Sequence, residues 1–172
     1  MFVTVKTYLL LGTNMGDRLA LLRQAHGEIT REIGTMLRVS SVYETGAWGD
    51  RNQPSYLNQV VMAVTRLQPP QLLAKIHAIE KRMGRTRVKK WESRPIDIDI
   101  LYYGDQIINE PELQVPHPLL PTRRFALVPL QEIAPLHIHP ICKQTTTELL
   151  SQTADQLSVR LYKPHTYEQH EL

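Results

Sequence analysis

Two hydrophobic periods take turns along the chain, and their order sets the predicted elements. Apolar residues over 3–11 form an opening strand, and Gly-Thr-Asn-Met-Gly at 12–16 reads as a turn. Leu19, Leu22, Ala25, Ile29 and Ile33 then recur at helical spacing, with Asp17 at the favoured acidic start and Gly34 as a stop. Residues 36–45 alternate as a strand, and 56–67 form another that is rich in valine. The segment 46–54 between them is too long for a tight hairpin. Pro69 and Pro70 suit the first turn of a second helix, whose stripe is Leu72, Leu73, Ile76, Ile79 and Met83 and whose end is Gly84. Residues 85–94 show no period and read as a loop. Beyond the strand that follows come short extended pieces around 106–109 and 113–115, a helix over about 123–133, a weak helix over 147–152 and a last strand over 159–163.

Strands alternate with helices, and two strands are joined directly, which matches a β-α-β-β-α-β order. The expected class is α/β (α+β): a ferredoxin-like mixed or antiparallel sheet. Helices are expected to pack on one face of it, with later elements extending it into a three-layer α-β-α sandwich. No repeat or linker divides the chain, so one domain is expected over 1–164, followed by a polar tail at 165–172. At 172 residues with 42% hydrophobic content, such a domain can bury a substantial core. No apolar run nears the roughly 18–20 residues that span a bilayer, and the N-terminus lacks a signal-peptide pattern. The lone Cys142 excludes an internal disulfide framework and fits a reducing cytosol. A cytoplasmic monomer without a membrane partner is the expectation.

Charge adds chemistry to this outline. The net charge is only +3, yet Lys81, Arg82, Arg85, Arg87, Lys89, Lys90 and Arg94 cluster against a single acid, Glu92. Such a cluster points to a polyanion: nucleic acid, a membrane surface or a phosphorylated small molecule. Directly after it, residues 94–101 read Arg-Pro-Ile-Asp-Ile-Asp-Ile-Leu. On a strand Ile96, Ile98 and Ile100 share one face and Asp97 and Asp99 the other, with Cα atoms of the acids roughly 6–7 Å apart. Unpartnered, the two carboxylates would repel by about 2–3 kcal/mol at an effective dielectric near 20. A divalent cation turns that cost into a gain, and oxygen-only ligands suit Mg²⁺. A solvated acidic face paired with lysine or arginine explains the same pattern equally simply.

Other chemistries find less support. The 12–16 turn lacks the Gly-Lys-Ser/Thr ending of a P-loop. His137 and His139 have no zinc-type cysteine spacing, and no nucleophile elbow is present. Arginines beside two metal-type carboxylates are instead the inventory of phosphoryl transfer. His117 lies in the stiff Val-Pro-His-Pro segment, where a phosphate contact and a plain turn are both open. Arg123-Arg124-Phe125 adds cation and ring, while Trp48, Tyr56, Asn58 and Trp91 offer flat surfaces and an amide for a planar heterocycle. Each aromatic would serve equally as ordinary packing.

Seven ordered segments together are more specific. Leu-Gly-Thr-Asn-Met-Gly-Asp, Ser-Ser-Val-Tyr-Glu-Thr, Gln-Pro-Ser-Tyr-Leu-Asn, Gly-Arg-Thr-Arg, the 94–101 octapeptide, Val-Pro-His-Pro and Arg-Arg-Phe-Ala-Leu-Val-Pro-Leu follow one another over about residues 5–140. In these the chain resembles the 6-hydroxymethyl-7,8-dihydropterin pyrophosphokinases of folate synthesis. The resemblance implies transfer of pyrophosphate from ATP to the hydroxymethyl group of the reduced pterin, with AMP released. It also implies a ferredoxin-like fold and two Mg²⁺ ions held by Asp97 and Asp99. By the same match, Arg85 and Arg94 stabilise the transferring group. Glu80, Arg87, Lys89, Ile100, His117 and Arg123 contact ATP. Thr45, Gly46, Trp48, Tyr56, Asn58, Trp91 and Phe125 form the pterin pocket. The chain departs from the family pattern in three places. Trp91-Glu92-Ser93-Arg94 stands for Trp-Gly-Pro-Arg, Gly46 for a common proline, and Trp48 for a smaller apolar residue. A nucleic-acid module is the rival from another class, but no RNP-type aromatic strand is present and an acidic strand repels phosphate, so no nucleic-acid partner is expected. A non-catalytic nucleotide binder is the third reading.

Overall fold

The computed structural model describes residues 3–46, 52, 54–84 and 95–163. The first strand, β1 (Val5–Thr13), runs two residues beyond the expected strand end and into the expected turn. Helix α1 (Arg18–Glu32) follows, and its first turn is satisfied by the Asp17 carboxylate, which accepts from the Ala20 N–H at 3.1 Å. The strand expected over 36–45 is two strands, β2 (Gly34–Val39) and β3 (Tyr43–Thr45). The physical reason lies between them. The Ser41 N–H donates to both Glu132 carboxylate oxygens at 3.1 and 2.9 Å, so its hydrogen bond leaves the sheet ladder for a side chain. Gly34 begins β2 rather than merely stopping a helix, because a Cβ there would lie 1.9 Å from the Val64 carbonyl oxygen.

Then come β4 (Tyr56–Thr65), α2 (Pro69–Arg82) and β5 (Asp97–Tyr103). Pro69 and Pro70 open α2 as expected, and the Gln71 side chain accepts from the Gln68 N–H at 2.9 Å. A small hairpin pairs β6 (Ile108–Glu110) with β7 (Leu113–Val115). A 3-10 turn at Leu120–Thr122 leads into α3 (Arg124–Ile133). The chain continues through α4 (Thr146–Gln152) to β8 (Val159–Leu161).

Among the described residues the main sheet runs β5-β1-β4-β3-β8, with β2 also paired to β4, and every pair is antiparallel. Its central strands carry large apolar side chains on both faces, which is why helices cover both. Leu9, Leu11, Leu57, Val61, Ile98 and Ile100 meet α1 and α2 through Leu22, Ile29, Leu72 and Ile76. Leu10, Val60, Met62 and Leu101 meet α3 and α4 through Leu127, Leu130 and Leu149. The expectation of helices on one face therefore holds for α1 and α2 alone, and the three-layer sandwich is completed by α3 and α4. Leu101 is an extra residue in β5, since Leu9 pairs with Ile100 and Tyr8 with Tyr102. This bulge resets the alternation and keeps Tyr102 on the α3 face. No helix among the described residues is long and apolar enough to cross a membrane.

Candidate active site

The period-2 reading of β5 is what the structure contains. Ile96, Ile98 and Ile100 are buried beneath α1 and α2, and Asp97 and Asp99 face the opposite side. That side of the sheet is a floor assembled from three strands. Asp97 stands across from Gly12, and Gly12 across from Asn58; Asp99 stands across from Leu10. Gly12, which the sequence assigned to a turn, is thus inside a strand and between the two polar groups. A Cβ on it would approach Asn58 Oδ1 to 2.9 Å, so only hydrogen leaves this floor open. Asn58 is buried and donates from Nδ2 to Thr45 Oγ1 at 3.2 Å, which fixes the carboxamide and aims its oxygen at Gly12.

Over this floor lies a cleft of about 610 Å³. Its walls are Thr45 and Gly46 at the end of β3, Tyr56 at the start of β4, and Leu119, Thr122, Arg123 and Phe125 from the 3-10 turn and the first turn of α3. The Arg123 guanidinium sits 5.5 Å from the centre of the Phe125 ring, a cation-π distance that orients both. The cleft is largely apolar with few polar groups, as suits a flat heterocycle.

A second cleft of about 420 Å³ opens on the other side of β5. It is bounded by Leu73, His77 and Glu80 of α2, by Pro111 to Gln114 of the hairpin, and by His117 and Pro118. Asp99 lines both clefts. Strand β5 is the sheet edge here, and the Ile98 N–H points outward to Glu80 Oε1 at 3.3 Å. Two residues further on, Ile100 turns its backbone the same way, so it offers the second cleft main-chain groups while its side chain stays in the core. Glu80 itself is buried beneath this edge.

His117 is held from two directions. Its N–H donates to the Leu101 carbonyl at 3.0 Å, and its Nδ1 accepts from the Leu119 N–H at 3.1 Å. Nδ1 is therefore the acceptor, and in the neutral ring Nε2 carries the proton. Burial pushes the imidazole below its ordinary value; nearby Asp99 acts against this, and Arg123 acts with it. The net result is a neutral histidine with an N–H donor beside a carboxylate.

The structure thus brings together Thr45, Gly46, Tyr56, Asn58, Asp97, Asp99, Arg123 and Phe125 at one cleft, and Glu80, Asp99, Ile100 and His117 at the other. Trp48, Arg85, Arg87, Lys89, Trp91 and Arg94 lie outside the described residues. Leu10, Gly12, Leu119 and Thr122 were not singled out in the sequence. For Gly12 a signal existed, a glycine closing an apolar run that continues into Thr13. For Leu119 and Thr122 none did, because only the turn before α3 brings them in.

Among the described residues no group of three or more His, Cys, Asp or Glu forms a ready metal cage. The donor set is the Asp97–Asp99 pair alone. That composition suits Mg²⁺, which takes one or two carboxylates from a protein and completes its octahedron with water and substrate phosphates.

Comparison with known proteins shows what the chain is similar to. The model of the family described as 7,8-dihydro-6-hydroxymethylpterin-pyrophosphokinase matches residues 8–135. A 2-amino-4-hydroxy-6-hydroxymethyldihydropteridine pyrophosphokinase of Aquifex aeolicus is 45% identical over 141 residues, covering 82% of this chain and 88% of its own length. One of the same name from Bacillus subtilis is 40% identical over 157 residues, covering 91% and 89%. Among solved structures, a Plasmodium falciparum HPPK-DHPS chain superimposes with a TM-score of 0.75 over 88% of this chain. At 18% identity that likeness speaks for the fold, and the chain spans 46% of that longer protein.

Proposed function

Because the chain belongs to the 7,8-dihydro-6-hydroxymethylpterin-pyrophosphokinase family, we propose that Asp97 and Asp99 hold two Mg²⁺ ions where its two clefts meet. The reaction transfers pyrophosphate from ATP to the hydroxymethyl group of 6-hydroxymethyl-7,8-dihydropterin, leaving AMP, in folate biosynthesis. The observation that carries the proposal is Asp99, which lines both the wider, apolar cleft and the narrower cleft along the strand edge. A transfer between two substrates needs its charged machinery at such a junction.

In this reading the wider cleft takes the pterin. Asn58 and Thr45 present fixed polar groups to the edge of the heterocycle, Phe125 and Tyr56 cover it, and Gly12 leaves room beneath it. Gly46 forms part of the rim, and the motif match adds Trp48 and Trp91. The narrower cleft takes the nucleotide. Glu80 and the outward backbone of Ile100 line it, His117 donates from Nε2 to a phosphate oxygen, and Arg123 supplies positive charge nearby. By motif match Arg87 and Lys89 join the nucleotide, and Arg85 and Arg94 close on the transferring group.

Asp97 and Asp99 would hold the metal, which would supply charge neutralisation at the phosphates and favour ionisation of the attacking hydroxyl, so no side-chain base is required. The protein's share is positioning and electrostatics: two carboxylates held on a buried strand, a neutral imidazole donor and guanidinium groups. We read the chain further as one pyrophosphokinase domain over 1–164 with a polar tail at 165–172, monomeric and cytoplasmic. The lone Cys142 and the nucleotide co-substrate support the location.

The test is AMP release by the purified chain mixed with ATP and the hydroxymethyldihydropterin. AMP is expected with Mg²⁺ and not after chelation by EDTA, with activity restored by added Mg²⁺. Turnover that persists undiminished in EDTA would overturn the metal assignment.

A further inference from the structure

We infer that Arg18, which touches neither cleft, is a positioning residue that sets the pterin side of the site from behind the sheet. Arg18 opens α1 on the face opposite the cleft. One guanidinium nitrogen, Nη1, bonds at 3.0 Å to each of Glu44 Oε2, the Ser55 carbonyl and Ser55 Oγ. Ser55 Oγ in turn donates to Glu44 Oε2 at 2.9 Å, closing the group on itself. The guanidinium also lies 5.4 Å from the centre of the Tyr162 ring.

The two residues held this way are the immediate neighbours of cleft residues. Glu44 precedes Thr45, and Ser55 precedes Tyr56. Thr45 and Tyr56 pair with each other at the very end of the β3–β4 ladder, where a three-residue strand has little cooperative support. Alternation turns Glu44 to the α1 side when Thr45 faces the cleft, so Arg18 grips the pair from the back. Burial alone would raise the Glu44 carboxyl. The hydrogen bonds from Arg18 and Ser55, together with the charges of Arg18 and Arg160, outweigh burial and hold it below the ordinary range, consistent with a charged clamp. The ion pair is only partly exposed, at 22% and 26% for the two side chains, and so is shielded from full solvent screening.

Without the clamp the last Thr45–Tyr56 pair loosens, and with it the Asn58–Thr45 hydrogen bond and the Gly46 rim. Among the described residues, none of those lining the narrower cleft is a partner of Arg18. The effect therefore belongs to one substrate. This inference rests on reading the wider cleft as the pterin site.

The experiment compares steady-state KM for pterin and for ATP, and kcat, in Arg18→Met, Arg18→Lys, Glu44→Ala and the Arg18→Met/Glu44→Ala double variant. Arg18→Met is expected to raise pterin KM about tenfold, with ATP KM and kcat within about twofold. Lysine, which keeps one charged donor but not the fork, should recover part of that loss. The double variant should be no worse than the larger single variant, because both act through one clamp. Unchanged pterin KM, or equal rises in both KM values, would overturn the inference; if Arg18→Met fails to fold by thermal melting, Arg18→Lys is judged by the same split. Asn58→Ala serves as the reference. If it too leaves pterin KM unchanged, the cleft assignment is what fails; if it raises KM while the Arg18 variants do not, the clamp is.

Discussion

Gly12 shows how a single hydrogen atom shapes the site. It sits between Asp97 and Asn58 on neighbouring strands, and its missing side chain is the open floor. Gly12→Ala would put a Cβ 2.9 Å from Asn58 Oδ1, so the carboxamide must shift and break from Thr45. A loss of about tenfold or more in kcat/KM for the pterin is expected, with the melting temperature lowered by no more than a few degrees. Wild-type kinetics in that variant would show that the floor has slack. The aspartates were legible in the sequence because a strand's period of two declares which residues share a face. Gly12 was not, because a glycine followed by Thr-Asn-Met-Gly reads as a turn, and only the register across β1 places it opposite both Asp97 and Asn58. The basic residues over 85–94 lie outside the described residues, and a stretch with no period carries no statement about direction.

Single elements are joined here by side chains as much as by the sheet. Glu132 near the end of α3 takes the N–H and hydroxyl of Ser41 and the hydroxyl of Tyr43, at 2.7–3.1 Å. It thereby ties the helix that carries Phe125 to the strand that carries Thr45. Burial, followed by the hydrogen bond and charge of Glu132, pushes the Tyr43 phenol up to about 12. In Glu132→Ala the phenol should ionise at lower pH than in the parent, yet still above its ordinary value, because burial remains. Absorbance of the phenolate during an alkaline titration reads this directly, and an unmoved midpoint would contradict the tie. The same carboxylate explains why the strand expected over 36–45 is broken. Sequence periodicity registers the alternation on either side of Ser40, but the partner that bends the chain lies 91 residues away in sequence, at Glu132. Helix positions, by contrast, were legible from local signals: Asp17 as cap, Pro69 and Pro70 as opening, and apolar stripes at the right spacing.

For the whole molecule, burial decides how stability follows pH. His117, His137 and His139 are all held below the ordinary imidazole value of 6.5, in each case chiefly by burial. The unfolded chain then binds more protons than the folded one once pH drops below that value. Their contribution is complete above it and is lost as pH falls toward the folded values. Several carboxylates act lower on the scale. Glu28 sits low chiefly through the Arg82 hydrogen bond and Glu32 chiefly through Lys75, so their share persists above the ordinary 4.5 and fades below it. The urea midpoint should therefore fall between about pH 7.5 and pH 5.5, before the acids titrate. His137 packs 4.3 Å from the Tyr102 ring centre, and its buried Nε2 has no hydrogen-bond partner among the described residues. His137→Phe should keep the packing and shrink the pH-dependent drop. An equal drop in that variant would assign the effect elsewhere.

If two carboxylates on one face of β5 carry pyrophosphate transfer between the clefts, removing either charge must all but stop AMP formation. Asp97→Asn and Asp99→Asn keep shape and remove charge, so the decisive measurement is single-turnover AMP formation in these variants. A rate loss of roughly a thousandfold, about 4 kcal/mol, is expected for each, with pterin affinity near that of the parent. AMP formation near the parent rate in either variant would show that the carboxylate concerned does not hold the metal.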